Sequence, residues 1–292
     1  MKAIALSRNL EETVSESDES KHMRPKISIA INSYRNPELL RLCLESVFRF
    51  AGKEDFEVLV VDSDTEEATR LVMEEFPQAR FFPYERNVGF RVLLNRSLEE
   101  SKGEFLFLIN HDIILTEETV PSLIRFMESD PHIGVIGPRQ INFNGSEQVS
   151  CFRFYRPWTI LYRRTMLGKL PFGRRHLDWF LMKDYDRKDP RTVDWIMGSA
   201  MFVRRSAAEE IGSMDTRFFM YMEDVDWCRR FWDAGWKVMH VPSIPVYHYH
   251  GKGSASGSFL RSLLLNRLTW YHISSAMKYF WKYFGKPLPK HE

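Results

Sequence analysis

The chain has 292 residues, 44% hydrophobic and 27% charged, which supplies one large domain or two small ones and excludes a mainly disordered chain. Its 41 Lys and Arg against 39 Asp and Glu leave a formal charge of +2, excluding the chain-wide basic field of a nonspecific nucleic-acid binder. Cys43, Cys151 and Cys228 are too scattered for a disulfide framework or a zinc cluster, and fit a reducing, cytoplasmic setting.

Residues 1–25 read as a mobile polar tail around the run Ser15 to Ser20. No signal peptide and no membrane-spanning helix are expected, because no long uncharged apolar run occurs. From Lys26 the pattern changes. Residues 27–31 alternate and are β-branched, which predicts a strand. Residues 37–50 carry Leu39, Leu40, Cys43, Leu44 and Val47 at helical spacing. Strands are then expected over 57–62, 79–83 and 104–110, with helices over 66–76 and 89–101 between them. This alternation predicts a parallel sheet with helices on both faces, and ligands beyond the carboxyl ends of its strands. At those ends stand Asn32 to Arg35, Asp62 to Asp64 and Asn110 to Asp112.

The second half differs in texture. A helix is expected over 116–129, strands over 134–137 and 195–204, and a helix over 222–235. Residues 151–191 and 259–292 are rich in Lys and Arg interleaved with aromatics. That mixture suits an anionic lipid surface, and it equally suits a core with a solvated face. No internal repeat is present.

Four stretches carry chemistry. Asn110-His111-Asp112 follows a buried apolar strand, a place where a carboxylate meets a divalent cation, a sugar hydroxyl or simply a helix cap. Glu223, Asp224 and Asp226 open a helical pattern behind Phe218 to Met222. A helix N-terminus stabilises such anions and suits one of them to general-base work. The apolar residues before them predict a buried strand delivering the acids into a cleft. His248 and His250 alternate on an extended segment beside Gly251, Lys252 and Gly253, a pattern for metal or phosphate contact. Asn87-Val88-Gly89-Phe90 reads as a tight loop entering a helix, with Gly89 free to take positive φ or to admit a nucleotide.

Taken together, residues 26–273 resemble the inverting family 2 glycosyltransferases. The motifs are Ile27 to Leu40, Val60 to Asp64, Arg86 to Phe90 with Asn95, Asn110 to Asp112, and Asp194 to Ala200. Arg204-Arg205, Phe218 to Asp226 and Ala234 to Trp236 complete them. The last stretches are similar to the rhamnosyltransferase-type branch, which builds cell-surface polysaccharides.

The resemblance implies an α/β GT-A (Rossmann-like) fold over 26–258, a mostly parallel sheet flanked by helices. Its nucleotide-sugar half would span 26–115 and its acceptor half 116–258. Basic-aromatic amphipathic helices over 259–292 would form a C-terminal extension. It implies donor contacts from Asn32, Tyr34, Arg35, Asp62, Asp64, Asn87, Gly89, Asn95, Asn110 and His111, with Asp62 facing the base. It implies Mg²⁺ or Mn²⁺ at Asp112 with His248 or His250, Asp224 as catalytic base, Glu223 orienting, and acceptor contacts from Trp195, Gly198, Ser199 and Asp226.

The donor implied is dTDP-rhamnose, with a UDP-hexose or UDP-galactofuranose as the alternative. The acceptor is a saccharide or a polyprenyl-diphosphate-linked one, reached by peripheral contact with the inner face of the cell membrane. Two positions depart from the family pattern: the metal motif holds Asn110 where a second aspartate is expected, and Arg91 replaces a small residue. A non-catalytic sugar-nucleotide scaffold on the same fold is the competing class, which the intact Glu223-Asp224 pair opposes.

Overall fold

The structure, a computed structural model, describes residues 24–249 and 267–289. The expectations for the N-terminal tail, for His250 and for the Gly/Ser segment around Lys252 lie outside the described residues.

The first half follows the predicted alternation closely. Strand β1 (Ile27–Tyr34) leads to helix α1 (Pro37–Phe50). Pro37 opens that helix, the Asn36 carboxamide oxygen accepts the Leu39 N–H at 3.2 Å, and Leu40, Cys43, Leu44 and Val47 turn inward. Then come β2 (Phe56–Ser63), α2 (Glu67–Glu75), β3 (Arg80–Tyr84), α3 (Phe90–Glu100) and β4 (Phe105–Asn110).

The second half contributes β5 (Ile113–Ile114), α4 (Thr119–Glu128), β6 (Ile133–Asn142), β7 (Glu147–Gln148) and β8 (Cys151–Phe152). Helices α5 (Pro157–Arg164) and α6 (Pro171–Phe180) follow, then β9 (Arg191–Thr192), β10 (Trp195–Ile196) and β11 (Ala200–Arg204). Helices α7 (Arg205–Ile211) and α8 (Glu223–Asp233), strand β12 (Lys237–His248) and helix α9 (Arg267–Lys282) complete the chain.

The main sheet runs β3-β2-β1-β4-β11-β6-β12-β5. Its first four strands are parallel. Strand β11 then pairs antiparallel with both β4 and β6, and β12 returns parallel to β6. Residues of both halves therefore share one continuous sheet. Alternate residues of each central strand feed two cores: Ile29, Ile31, Val58, Val60, Phe105 and Phe107 go to one, and Ala30, Leu59, Leu106 and Leu108 to the other. Both faces are covered, which is why these strands read as unbroken apolar runs. The register sets Asn32 beside Asn110 and Ser33 beside Asp62, so the polar strand ends meet at one edge.

Two expectations are corrected. The strand foreseen over 195–204 is two strands: β10 pairs with β8 in a separate small sheet, and β11 joins the main one. Between them the Gly198 N–H leaves any ladder and donates to Asp224. The buried strand foreseen ahead of Glu223 is a turn. Tyr221 and Met222 sit at φ 67° and 68°, a conformation no strand contains.

Candidate active site

The strand ends form the first part of the site. Asp62 is fully buried at the end of β2, and neither of its carboxylate oxygens has a hydrogen-bond partner among the described residues. A buried carboxylate without a partner is costly, so this one awaits a donor group from a ligand. Arg35 and Asp64 face each other at the rim with an ion pair of 2.6 Å, and the Arg35 guanidinium lies 5.6 Å from the centre of the half-exposed Tyr34 ring. Both Arg35 and Asp64 hold positive φ (41° and 62°), a strain typical of sites where backbone must meet a ligand.

Asn32 serves differently from expectation. It is buried, and its carboxamide is taken by the Ile109 carbonyl and the Ser97 hydroxyl, so it ties β1 to α3 and β4. Its backbone carbonyl accepts the N–H of His111, whose ring packs close by. Burial lowers the His111 pKa against the pull of Asp112, keeping that ring neutral. Asn95 is likewise structural: its carboxamide both donates to and accepts from the backbone of Met214. Asn87 accepts the Gly89 N–H at 2.9 Å and shapes the loop into α3. Gly89 (φ 83°) lies so close to Phe219 that a Cβ would come within 2.6 Å of its carbonyl oxygen. Arg91 is tied to the turn ahead of Glu223, its Nε donating to the Phe218 carbonyl at 2.8 Å.

A second group gathers at the end of β4. Asp112 Oδ1 lies 3.3 Å from His248 Nε2, and the other ring nitrogen of His248 meets the Gln148 carboxamide oxygen at 2.7 Å. Asn110 Oδ1 is buried and unpartnered beside them in sequence. The carboxylate and carboxamide oxygens are donors of the kind a hard divalent cation takes, and the imidazole suits Mn²⁺ better than Mg²⁺. Gln148 orients the imidazole, and sequence alone offered no signal for it.

Gln148 also lines the third part, a cavity of about 430 Å³, a size usual for small-ligand sites. Glu223, Asp224, Trp195, Tyr155, Arg163 and Arg164 stand in its wall. Asp224 accepts the Gly198 N–H at 3.1 Å and the Val225 N–H at 2.8 Å, so backbone donors fix its carboxylate at the start of α8. Burial nevertheless raises its pKa. Burial, then the charge on Asp224, raises that of Glu223, whose Oε2 is buried without a partner. Both carboxyls are thus held toward the protonated form by burial, and the charge of one opposes ionisation of the other. Trp195 stacks on Phe152 at 4.5 Å and presents an aromatic wall.

The remaining acceptor expectations are revised. Ser199 is buried against Gln140. Asp226 is fully buried on the other side of α8, its oxygens taken by Lys282 (2.5 Å), Tyr283 (2.9 Å) and Arg230 (3.1 Å). Neither is available to a substrate.

Over residues 28–212 the chain matches the family described as Glycosyl transferase family 2. It belongs to that family. As such it is a transferase, and its sheet with flanking helices is a GT-A fold. Relatives agree. The chain is 29% identical over 249 residues to N-acetylglucosaminyl-diphospho-decaprenol L-rhamnosyltransferase of Mycobacterium tuberculosis, covering 80% of this chain and 79% of that protein. It is 21% identical to rhamnosyltransferase WbbL of Escherichia coli, covering 87% and 92%. Among solved structures it is similar to GalNAc-T7 with UDP, GalNAc and Mn²⁺, at a TM-score of 0.57 and 16% identity, over 78% of this chain but only 44% of that one.

Proposed function

We propose that this glycosyltransferase moves a rhamnosyl unit from dTDP-rhamnose, with inversion, onto a saccharide acceptor carried by a lipid in cell-surface polysaccharide synthesis. The single observation that carries the catalytic part is Asp224: a carboxylate fixed by two backbone N–H groups, in the wall of a substrate-sized cavity that is also lined by Gln148, the hydrogen-bond partner of His248. The relatives named as rhamnosyltransferases support the sugar and the lipid carrier.

In this reading the unpartnered Asp62 accepts from the base of the donor, and Arg35 with Asp64 lines its rim. Asp112, His248 and Asn110 hold the divalent cation that, when bound, offsets charge on the donor diphosphate. The acceptor hydroxyl lies in the cavity beside Asp224. Its oxygen forms the new bond to the anomeric carbon while the bond from that carbon to the diphosphate oxygen breaks, the electron pair leaving with the nucleotide. Asp224 takes the hydroxyl proton, a step that contributes about 10²–10⁴-fold. Glu223, protonated in this reading, adds no second negative charge and leaves Asp224 as the base.

The lipid carrier fits the outside of the molecule. No helix of the described residues is long and apolar enough to cross a membrane. Helix α9 instead has two apolar faces. Ala276 and Tyr279 pack inward, while Trp270, Met277 and Trp281, followed by Phe284, form one exposed stripe in which Trp281 is 83% and Phe284 85% exposed. Such a stripe on a Lys-bearing helix is suited to lie in the headgroup region of an anionic bilayer.

Calorimetric titration with dTDP-rhamnose, UDP-glucose and UDP-galactofuranose, with and without Mn²⁺, tests the donor assignment. Cation-dependent binding of dTDP-rhamnose alone is expected. Preference for a UDP-sugar would replace rhamnose, and no binding of any donor would leave a non-catalytic scaffold.

A further inference from the structure

The cavity beside Asp224 contains two cations that sugar transfer itself does not employ. Arg163 and Arg164, adjacent at the end of α5, both line it. Among the described residues neither has a carboxylate within ion-pair distance. Arg163 donates to the Tyr155 hydroxyl at 2.6 Å, and Arg164 donates to His272 Nδ1 of α9 at 3.0 Å. An arginine cannot accept, so that ring nitrogen is the acceptor and the imidazole is neutral. Burial, then Arg164 and Arg163, push the His272 pKa down to about 3, in agreement. Each guanidinium therefore spends one N–H on a neutral partner and keeps others for something else.

Of the two, Arg163 is exposed and also lies over the Phe180 ring at 5.4 Å, while Arg164 is half-buried. Burial, then the neighbouring Arg163, press against the charge on Arg164 and lower its pKa. Other arginines of this protein are either paired with a carboxylate, as Arg35 is with Asp64 and Arg230 with Asp226, or bonded to backbone carbonyls, as Arg204 and Arg229 are; Arg163 and Arg164 stand apart in lining a ligand-sized cavity side by side. The acids that line the same cavity, Glu223 and Asp224, make no ion pair with either arginine, and Asp224 accepts from the Gly198 and Val225 N–H groups. Two adjacent positive forks suit a group carrying two or more negative charges and several acceptor oxygens better than a single carboxylate.

We propose that Arg163 and Arg164 form an anion subsite that holds a phosphoryl or diphosphoryl group attached to the acceptor sugar. The sugar itself then lies between this pair and Asp224, against Trp195 and Tyr155. This inference rests on the reading of the cavity as the acceptor site. It makes the acceptor an anionic glycosyl phosphate, and the phosphoryl group a requirement for binding. The same chemistry comes either from a lipid-linked diphosphate or from a soluble sugar phosphate.

The test is calorimetry on the full chain with the donor site filled by dTDP and Mn²⁺. The probes are inorganic pyrophosphate and geranyl diphosphate, with glucuronate as the single-carboxylate anion. Wild type is expected to bind both diphosphates and to bind glucuronate at least tenfold more weakly. Arg163→Gln and Arg164→Gln are each expected to weaken diphosphate binding at least tenfold while dTDP affinity stays unchanged. Arg163→Lys and Arg164→Lys, which keep the charge and lose the fork, are expected to fall between, and they carry the test if a Gln variant fails to fold. Tenfold tighter binding of geranyl diphosphate than of pyrophosphate indicates the lipid source, and equal affinities indicate the soluble one. The inference is overturned if wild type binds dTDP but neither diphosphate, if glucuronate binds as tightly, or if the variants bind diphosphate as wild type does. Failure to bind dTDP would instead count against the donor reading.

Discussion

At the scale of single residues, the pair Glu223 and Asp224 decides the pH behaviour. Burial raises both pKa values, and the charge on Asp224 adds to the shift of Glu223. A base must be ionised, so kcat/KM is expected to rise with pH along a limb above the ordinary aspartate value of about 3.9. With Asp224 as the base, Glu223→Gln should leave such a limb in place. A limb that vanished with Glu223 would exchange the two roles.

Stability gives an independent reading of the same pair. Between the ordinary carboxyl pKa and the raised folded value, native Glu223 keeps a proton that the unfolded chain has released. Stability therefore falls as pH rises through that window. Glu223→Gln is expected to gain about 1–3 kcal/mol at pH 8 and almost nothing at pH 3, measured by urea unfolding. Equal effects at both pH values would show that the ionisation does not matter.

Asp224 and Asp112 were legible in sequence because each follows a buried apolar stretch that needs no acid. Arg163 and Arg164 were not, since they stand in a long basic segment, and only folding shows which of its members line the cavity. Asp226 misled for the opposite reason. On a helix, two residues from Asp224 is about 200° around the axis, and there it meets Lys282 and Tyr283 instead of a substrate.

At the scale of elements, the acids are held in place from two sides. From α3, Asn95 and Arg91 bind the backbone of Met214 and Phe218. From α9, Ser275 donates to the Met220 carbonyl and Lys278 to that of Arg217, while Lys282 bridges Asp215 and Asp226. The turn with its two positive φ values is thus clamped just ahead of the catalytic pair. Helix α9 belongs to the working domain and is more than an appendage. Asp226→Ala leaves Lys282 with Asp215 alone and the buried Tyr283 hydroxyl without its acceptor, and is expected to cost about 1–3 kcal/mol of stability. A change below 1 kcal/mol in thermal or urea unfolding would remove this clamp from the account. Gly89→Ala is expected to cost roughly 1–3 kcal/mol, because positive φ and the closeness of Phe219 both oppose a Cβ. Unaltered unfolding would show that the loop yields freely.

The helices and parallel strands of the first half were readable because local periodicity and burial on both faces agree there. The turn at 218–222 was not. Its residues are apolar enough for a strand, and only the neighbours that hold it, α3 and α9, impose the left-handed backbone.

At the scale of the whole molecule, the main sheet carries Asp62 on β2, Asn110 on β4 and His248 on β12, while Asp224 comes from α8 and meets Gly198 at the break between β10 of the small sheet and β11 of the main one. The strand order that brings them to one edge depends on the antiparallel β11, which the alternation of elements in the first half does not specify. The outer stripe of α9 and the arginine pair of α5 lie on elements joined by the Arg164–His272 hydrogen bond, so the cavity and α9 are neighbours. Trp281→Ser with Phe284→Ser is expected to weaken sedimentation with phosphatidylglycerol vesicles at least about tenfold, since each buried aromatic contributes roughly 1.5–3 kcal/mol. Unchanged sedimentation would remove α9 from the membrane contact.

The account stands on Asp224 as the base of sugar transfer. The direct measurement is turnover and donor affinity of Asp224→Asn side by side, with dTDP-rhamnose and a geranyl-diphosphate-linked N-acetylglucosamine acceptor. Turnover is expected to fall by about 10²–10⁴-fold while the donor binds as tightly as it does to the wild type. Near-normal turnover with unchanged donor binding would contradict the assignment and with it the mechanism.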